Sequence, residues 1–216
     1  MKTVFDTIST SPEARIATGL TRIGTAMRHK AWERASLNGL TPTQADIIAL
    51  LAARGEPMRL SAVAEQLAIT PATASDAVAS LVGKGLADKS RAADDGRAIA
   101  LTLTQAGVAL SGTVSDWGGF LGLAATTLNA ADKITLLRLI IKMIRAMQEN
   151  GDIPPSRMCV SCQYFAPNRH ADPDTPHHCL LVDAPFGDRH LRLDCPEHKP
   201  AEATILQRNW AAFAES

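Results

Sequence analysis

Net charge is the first thing this chain of 216 residues lacks. Its 22 Lys plus Arg equal its 22 Asp plus Glu, so nothing global draws it to nucleic acid and any steering must be local. A long apolar run is missing too. No stretch is long enough to span a bilayer, and the N-terminal MKTVFDTIST has no apolar core of the kind a signal peptide needs. A cytoplasmic protein with no membrane partner is the expectation. The sequence holds no phosphate-cradling loop and no nucleophile-base constellation, which argues against an enzyme. Cysteine is absent from the first 158 residues, all four lying between Cys159 and Cys195.

The most informative stretch runs from Leu40 to Gly107. Thr41-Pro42 followed by Gln44 supplies an N-cap hydroxyl, a proline at the first helical position and an amide that can reach back to the cap. The spacing predicts a helix from Pro42 to about Arg54 that buries Ile47, Ile48, Leu50 and Leu51 and stops at Gly55. Leu60-Ser61 opens a short second helix with Val63 and Leu67, and Thr70-Pro71 opens a third. Two helices in such close succession form a helix-turn-helix, whose second helix lies in the major groove of DNA. At 100° per residue, Ala74, Val78, Leu81, Val82 and Gly85 of that third helix share one side, to pack. Ala72, Thr73, Asp76 and Ser80 project from the other, to read. Thr73 offers a hydroxyl and a methyl, and Asp76 an acceptor for a cytosine amine. Leu86–Ser90 and Ala98–Thr102 then alternate with period two around the turn Ala93-Asp94-Asp95-Gly96, a hairpin whose Lys89, Arg91 and Arg97 suit phosphates and a narrow minor groove.

Leu40-Thr41-x-x-Gln44, Ser75 through Leu81, Lys84-Gly85-Leu86, Asp94-Asp95-Gly96-Arg97 and Leu103-Thr104-x-x-Gly107 together resemble the winged-helix core of the MarR family of bacterial regulators. With flanking helices the resemblance covers about residues 12–150. It implies that Pro71–Lys84 enters the major groove of a pseudo-palindromic double-stranded operator and that Arg97 enters the minor groove. The DNA-facing candidates are Thr70, Pro71, Ala72, Thr73, Ser75, Asp76, Ser80, Lys84, Lys89, Arg91 and Arg97. Gly96 departs from the family, which usually has a second basic or polar residue there. Between Leu40 and Thr104, seven acidic residues face six Lys plus Arg, so affinity leans on dimerisation and a few placed contacts.

Around this core, Ser11-Pro12-Glu13 opens a helix with the stripe Ile16, Leu20, Ile23 and Met27, ended by Asn38-Gly39. Trp32 reads as a packing residue, although the resemblance also implies that small aromatic effectors bind near this junction. Thr104-Gln105 begins a helix to about Leu128, weakened by Gly112, Gly118, Gly119 and Gly122. Asn129 caps a last long helix to Glu149 with two apolar stripes: Ile134, Leu137, Ile141, Ile144 and Leu136, Ile140, Met143, Met147. With the first helix it is expected to form an isologous homodimer interface that spaces two reading helices one DNA turn apart.

Met158–Lys199 changes character. It is rich in proline, histidine and aspartate, and it reads as too small and too polar to fold on its own core, so that it needs a staple. Cys159-x2-Cys162, sixteen residues, Cys179, fifteen residues and Cys195 favour a metal site over disulfides in a cytosolic chain. Structural zinc usually takes two close pairs, whereas a [4Fe-4S] cubane readily accepts one pair and two isolated thiolates. The run is also similar to the cluster segment of high-potential iron-sulfur proteins over about forty residues, which implies a [4Fe-4S] cluster on these four cysteines. Zn2+ remains the alternative, and His177, His178, His190 and His198 keep a mixed site open. Ile205, Leu206, Trp210 and Phe213 have the spacing of a short amphipathic helix docking back on the body.

The expected fold is mainly α with a small β-wing (α+β), divided as 1–39 N-terminal arm and dimerisation helix, 40–104 winged helix-turn-helix, 105–152 long dimerisation helices and 153–216 cysteine-rich module. The expected function is DNA-binding regulation in response to redox state, oxygen, nitric oxide or iron, sensed at the cysteines. The competing expectation is a regulator answering a small aromatic ligand, with zinc as a structural staple.

Overall fold

The structure, a computed structural model, describes residues 9–91, 98–114 and 119–215. In chain order the helices and strands are α1 (Pro12–Leu37), α2 (Pro42–Arg54), β1 (Met58–Arg59), α3 (Leu60–Gln66), α4 (Pro71–Gly83), β2 (Ala87–Arg91), β3 (Ile99–Leu103), α5 (Gln105–Val114), α6 (Gly119–Ala125), α7 (Ala130–Glu149), β4 (Phe165–Ala166), β5 (His177–Cys179), β6 (Ala184–Phe186) and α8 (Ala203–Ala214). They fall into two compact units, Met1–Met58 with Ser75–Leu121 and Arg59–Ala74 with Gly122–Ser216.

In the first unit the caps act as the sequence dictates. The Gln44 N–H donates to Thr41 Oγ1 and the Thr41 N–H to Gln44 Oε1, both at 3.3 Å, a reciprocal capping box at the start of α2. Ala45, Ile47, Ile48 and Leu51 are buried, Leu50, expected among them, is half-buried, and α2 stops at Gly55. The hairpin pairs Ala87 with Leu103 through Arg91 with Ile99, one residue later than the alternation predicts. Its β3 strand lies between β1 and β2. Thr104 joins hairpin to α5: its hydroxyl donates to the Gly85 carbonyl at 2.7 Å and accepts the Gly107 N–H at 3.1 Å. A Cβ on Gly107 would collide with the Leu86 carbonyl, which explains the Thr104-x-x-Gly107 spacing.

Three expectations about packing change. On α4, Ala74, Ala77, Val78 and Leu81 are buried. This set at i, i+3, i+4 and i+7 includes Ala77 and leaves Val82 and Gly85 exposed. Trp32 is 58% exposed rather than packed. The helix predicted from Thr104 to Leu128 is present as α5 and α6, ending at Ala125, with 115–118 between them outside the described residues.

In the second unit, Asn129 caps α7 by accepting the Asp132 N–H at 2.9 Å. The cysteine segment shares a core with the helices on either side of it. Met158, Val160, Phe165, Leu191 and Phe213 are buried together with Ile141, and Leu137 and Ile144 pack against them. One apolar stripe of α7 and the inner face of α8 supply the area that residues 158–199 lack. The segment also carries a three-stranded antiparallel sheet in the order β4-β5-β6, with Phe165 opposite Cys179 and Cys179 opposite Ala184. Strands this short leave no alternation to read. The predicted terminal helix is α8, with Phe213 fully buried. Its last carbonyls receive two cations from α7: Arg138 Nη2 donates to Phe213 O at 2.9 Å and Lys142 Nζ to Ala214 O at 2.8 Å, where the negative end of the helix dipole favours positive charge. The Arg138 guanidinium also lies 4.5 Å over the Phe213 ring.

Of the second α7 stripe, Leu136, Met143 and Met147 are exposed and Ile140 is half-buried, with Leu139, outside that stripe, exposed beside them; the α1 stripe of Ile16, Leu20, Ile23 and Met27 is exposed. No described helix is long and apolar enough to cross a membrane.

Candidate functional site

Two sets of residues stand out, one at the turn from α3 into α4, the other among the cysteines. After α3 the chain turns through Ala68, at φ 51°. The Ala68 N–H donates to Glu65 O and the Ile69 N–H to Ala64 O. Thr70 then caps α4, its hydroxyl accepting the Thr73 N–H at 3.1 Å and lying 2.8 Å from Thr73 Oγ1. Thr70, Pro71, Ala72, Thr73 and Asp76 are exposed, while Ser75 and Ser80 are half-buried. The start of α4 therefore presents short side chains over which backbone can approach base edges, with Asp76 as an acceptor.

Ser80 and Lys84 have a further role that sequence reasoning missed. Lys84 Nζ donates to the Gly39 carbonyl at 2.6 Å and to Gln44 Oε1 at 2.7 Å, and Gln44 Nε2 donates to Ser80 Oγ at 3.0 Å. The capping amide of α2 thus ties the end of α4 to the loop before α2. On β2, Lys89 and Arg91 are exposed and share a strand face by their period of two. Arg97 and Gly96 lie outside the described residues.

The four cysteines converge. Cys159 opens a 3-10 turn, and the Cys162 N–H donates to its carbonyl at 2.9 Å. Cys179 ends β5, and the Cys195 N–H donates to Arg157 O at 2.9 Å. All four line one recess with Tyr164, Phe165, Leu181, Phe186 and Glu197. No disulfide joins them. Among the described residues, no three His, Cys, Asp or Glu side chains gather closely enough to hold a single metal ion. Burial pushes the Cys159 thiol above the usual range, the Arg192 N–H works against that, and the other three cysteines add to it. By donor type alone, four cysteine sulfurs are the ligands an iron-sulfur cluster or zinc takes.

The histidines do not line this recess. His178 Nε2 is 3.0 Å from Asp183 Oδ1 and its Nδ1 is 3.0 Å from His170 Nε2; His198 Nε2 is 3.0 Å from Ser161 Oγ. His190 lines only the wider adjoining recess. His177, fully buried, accepts the Asn168 N–H at Nδ1, which leaves Nε2–H to donate to Asp188 Oδ1 at 2.9 Å. Burial pushes His177 below its usual range against the pull of Asp188, so the ring is a neutral structural connector.

A third feature lies between α1 and α2, a cleft of about 610 Å³ lined by Met27, Arg28, Ala31, Trp32, Pro42 and Asp46. It lies near the junction where the resemblance to the MarR family implies that small aromatic effectors bind.

Residues 38–98 match the model of the MarR family. No curated protein matches the chain. Among solved structures, the chain is similar to a Staphylococcus aureus MepR–DNA complex at 21% identity, covering 62% of this chain and 98% of that one with a TM-score of 0.55. A MarR transcriptional regulator from Methanosarcina mazei is similar at 18% identity, covering 64% and 96%, with a TM-score of 0.52. Wild-type MarR from Escherichia coli, in its apo form, is similar at 17% identity, covering 63% and 98%, with a TM-score of 0.50. The rest of this chain is additional to those folds. Over residues 38–98 the chain matches the MarR family, and its fold is the winged helix-turn-helix of these structures.

Proposed function

We propose that this protein is a homodimeric, DNA-binding transcriptional regulator that recognises pseudo-palindromic operators. The observation that carries this reading is the start of α4, where Pro71, Ala72, Thr73 and Asp76 stand exposed after a helix and a four-residue turn, with Lys89 and Arg91 on the following hairpin. One similar structure is described as a complex with DNA. The exposed stripes of α1 and α7 are the faces a second copy covers. Selection of bound fragments from genomic DNA, followed by anisotropy titration of the enriched site, tests this. A single enriched motif bound far more tightly than scrambled DNA supports it, and indifference to sequence refutes it.

We infer further that Cys159, Cys162, Cys179 and Cys195 hold a [4Fe-4S] cluster through which redox state, oxygen, nitric oxide or iron supply is sensed. What supports this is that four free cysteines line one recess. Tyr164, Phe165, Leu181 and Phe186 shield that recess. Replacing Cys179 with serine is expected to alter operator affinity or its response; unchanged affinity and response contradict the sensing role. The cleft beside Trp32 favours a second reading, a small aromatic effector with zinc at the cysteines, which release of DNA by such ligands from a zinc-loaded protein would establish.

A further inference from the structure

The geometry points to Arg192 as the residue that sets the reduction potential of the cysteine centre, an assignment that rests on the cluster reading above. Arg192 is bound to cysteines from opposite ends of the segment. Its N–H donates to Cys159 Sγ at 3.2 Å, its carbonyl accepts the Cys159 N–H at 3.0 Å, and its guanidinium Nη1 donates to Cys195 Sγ at 3.7 Å. With Glu197 and His190 it also lines the wider recess, about 640 Å³, onto which Cys159, Cys179 and Cys195 open. Arg192 thus brings a backbone dipole and a permanent positive charge to the sulfurs on their solvent side.

Donors to cluster sulfurs and charges near them are what tune such centres. Four thiolates give the site a large negative charge, and one-electron reduction adds one more. The guanidinium stays protonated throughout, so it stabilises the reduced form more than the oxidised one and raises the potential. The Glu197 carboxylate, lining both recesses, acts in the opposite sense. Replacing Arg192 by glutamine removes the charge and keeps both backbone hydrogen bonds to Cys159.

The test is a redox titration of anaerobically purified full-length protein, dithionite supplying the electron, followed by electron paramagnetic resonance and visible absorption. Iron and sulfide are counted in each variant. With full iron and sulfide, Arg192→Gln is expected to raise the oxidised-to-reduced ratio roughly tenfold at the wild-type midpoint, a shift of about 59 mV to more negative potential for a one-electron couple. Glu197→Gln is expected to shift the midpoint to more positive potential, and Arg192→Lys to stay nearer wild type than Arg192→Gln. A fully loaded Arg192→Gln with the wild-type midpoint overturns the assignment alone. Should that variant fail to load, Glu197→Gln decides: a positive shift upholds the electrostatic account and an unchanged midpoint overturns it. Wild-type protein with neither iron nor sulfide overturns the cluster reading and this assignment together.

Discussion

Arg138 and Asp188, 50 residues apart in the chain, meet at 2.6 Å between Nη1 and Oδ1, and the same carboxylate oxygen takes the His177 Nε2–H at 2.9 Å. Arg138 belongs to the long helix α7, and His177 lies on the strand that ends in Cys179. This half-buried relay, with side chains 14% and 22% exposed at its ion pair, fixes the cysteine strand to α7. Removing one partner strands a carboxylate and a buried histidine. Arg138→Met is expected to cost about 2–3 kcal/mol, below the full range for a deeply buried pair because of the residual exposure. Urea unfolding followed by the fluorescence of Trp210, beside Phe213, reads it. In a double-mutant cycle Asp188→Asn should add little to Arg138→Met, and additive losses would contradict the relay.

Gly107 carries a second prediction. Because a Cβ there would run into the Leu86 carbonyl, backbone that cannot swing aside like a side chain, Gly107→Ala is expected to destabilise the winged-helix unit by about 1–3 kcal/mol. A melting temperature unchanged by the substitution would show that the hairpin-to-α5 junction is looser than described.

On the proposed DNA-binding surface, residues proposed to face bases and residues proposed to face phosphates should separate experimentally. Asp76→Ala is expected to relax sequence preference at one position while leaving the salt dependence of binding intact. Lys89→Ala or Arg91→Ala should weaken all sequences alike and lower the salt slope by about 0.9 each. Anisotropy titrations at several salt concentrations measure both, and a salt slope untouched by either cation's loss would remove β2 from the interface.

The open stripe on α7 should be a subunit interface. Leu139→Glu combined with Met143→Glu places charge on an apolar face that now exposes both residues, and sedimentation velocity is expected to show monomers where the parent protein dimerises. Persistence of the dimer would locate the interface elsewhere.

These predictions rest on parts of the molecule that were unequally legible in the sequence. The caps at Ser11, Thr41, Thr70 and Asn129 are local chemistry, and α2 runs over Pro42–Arg54 as read from its cap and Gly55. The hairpin is offset by a residue because alternation does not mark strand ends. The cysteine module was legible only as a donor pattern. Its strands are two or three residues long, and its core is completed by Ile141 on a different helix. Arg138, Asp188, His177 and Arg192 form no motif, since what joins them is a tertiary fold that brings distant positions together. Lys84 is legible in the sequence as part of the Lys84-Gly85-Leu86 motif and as a DNA-facing candidate, whereas what it does within the fold, bonding Gly39 and Gln44, depends on the loop before α2.

The central claim is that the chain couples a winged helix-turn-helix to an iron-sulfur centre, and the most direct measurement is the iron, acid-labile sulfide and zinc content per chain of protein purified without oxygen, taken with its visible spectrum. The account predicts brown protein with about four iron and four sulfide per chain, lost in Cys179→Ser. Colourless protein with one zinc per chain would contradict it, leaving the cysteines a structural staple and the cleft beside Trp32 the place where a signal is read.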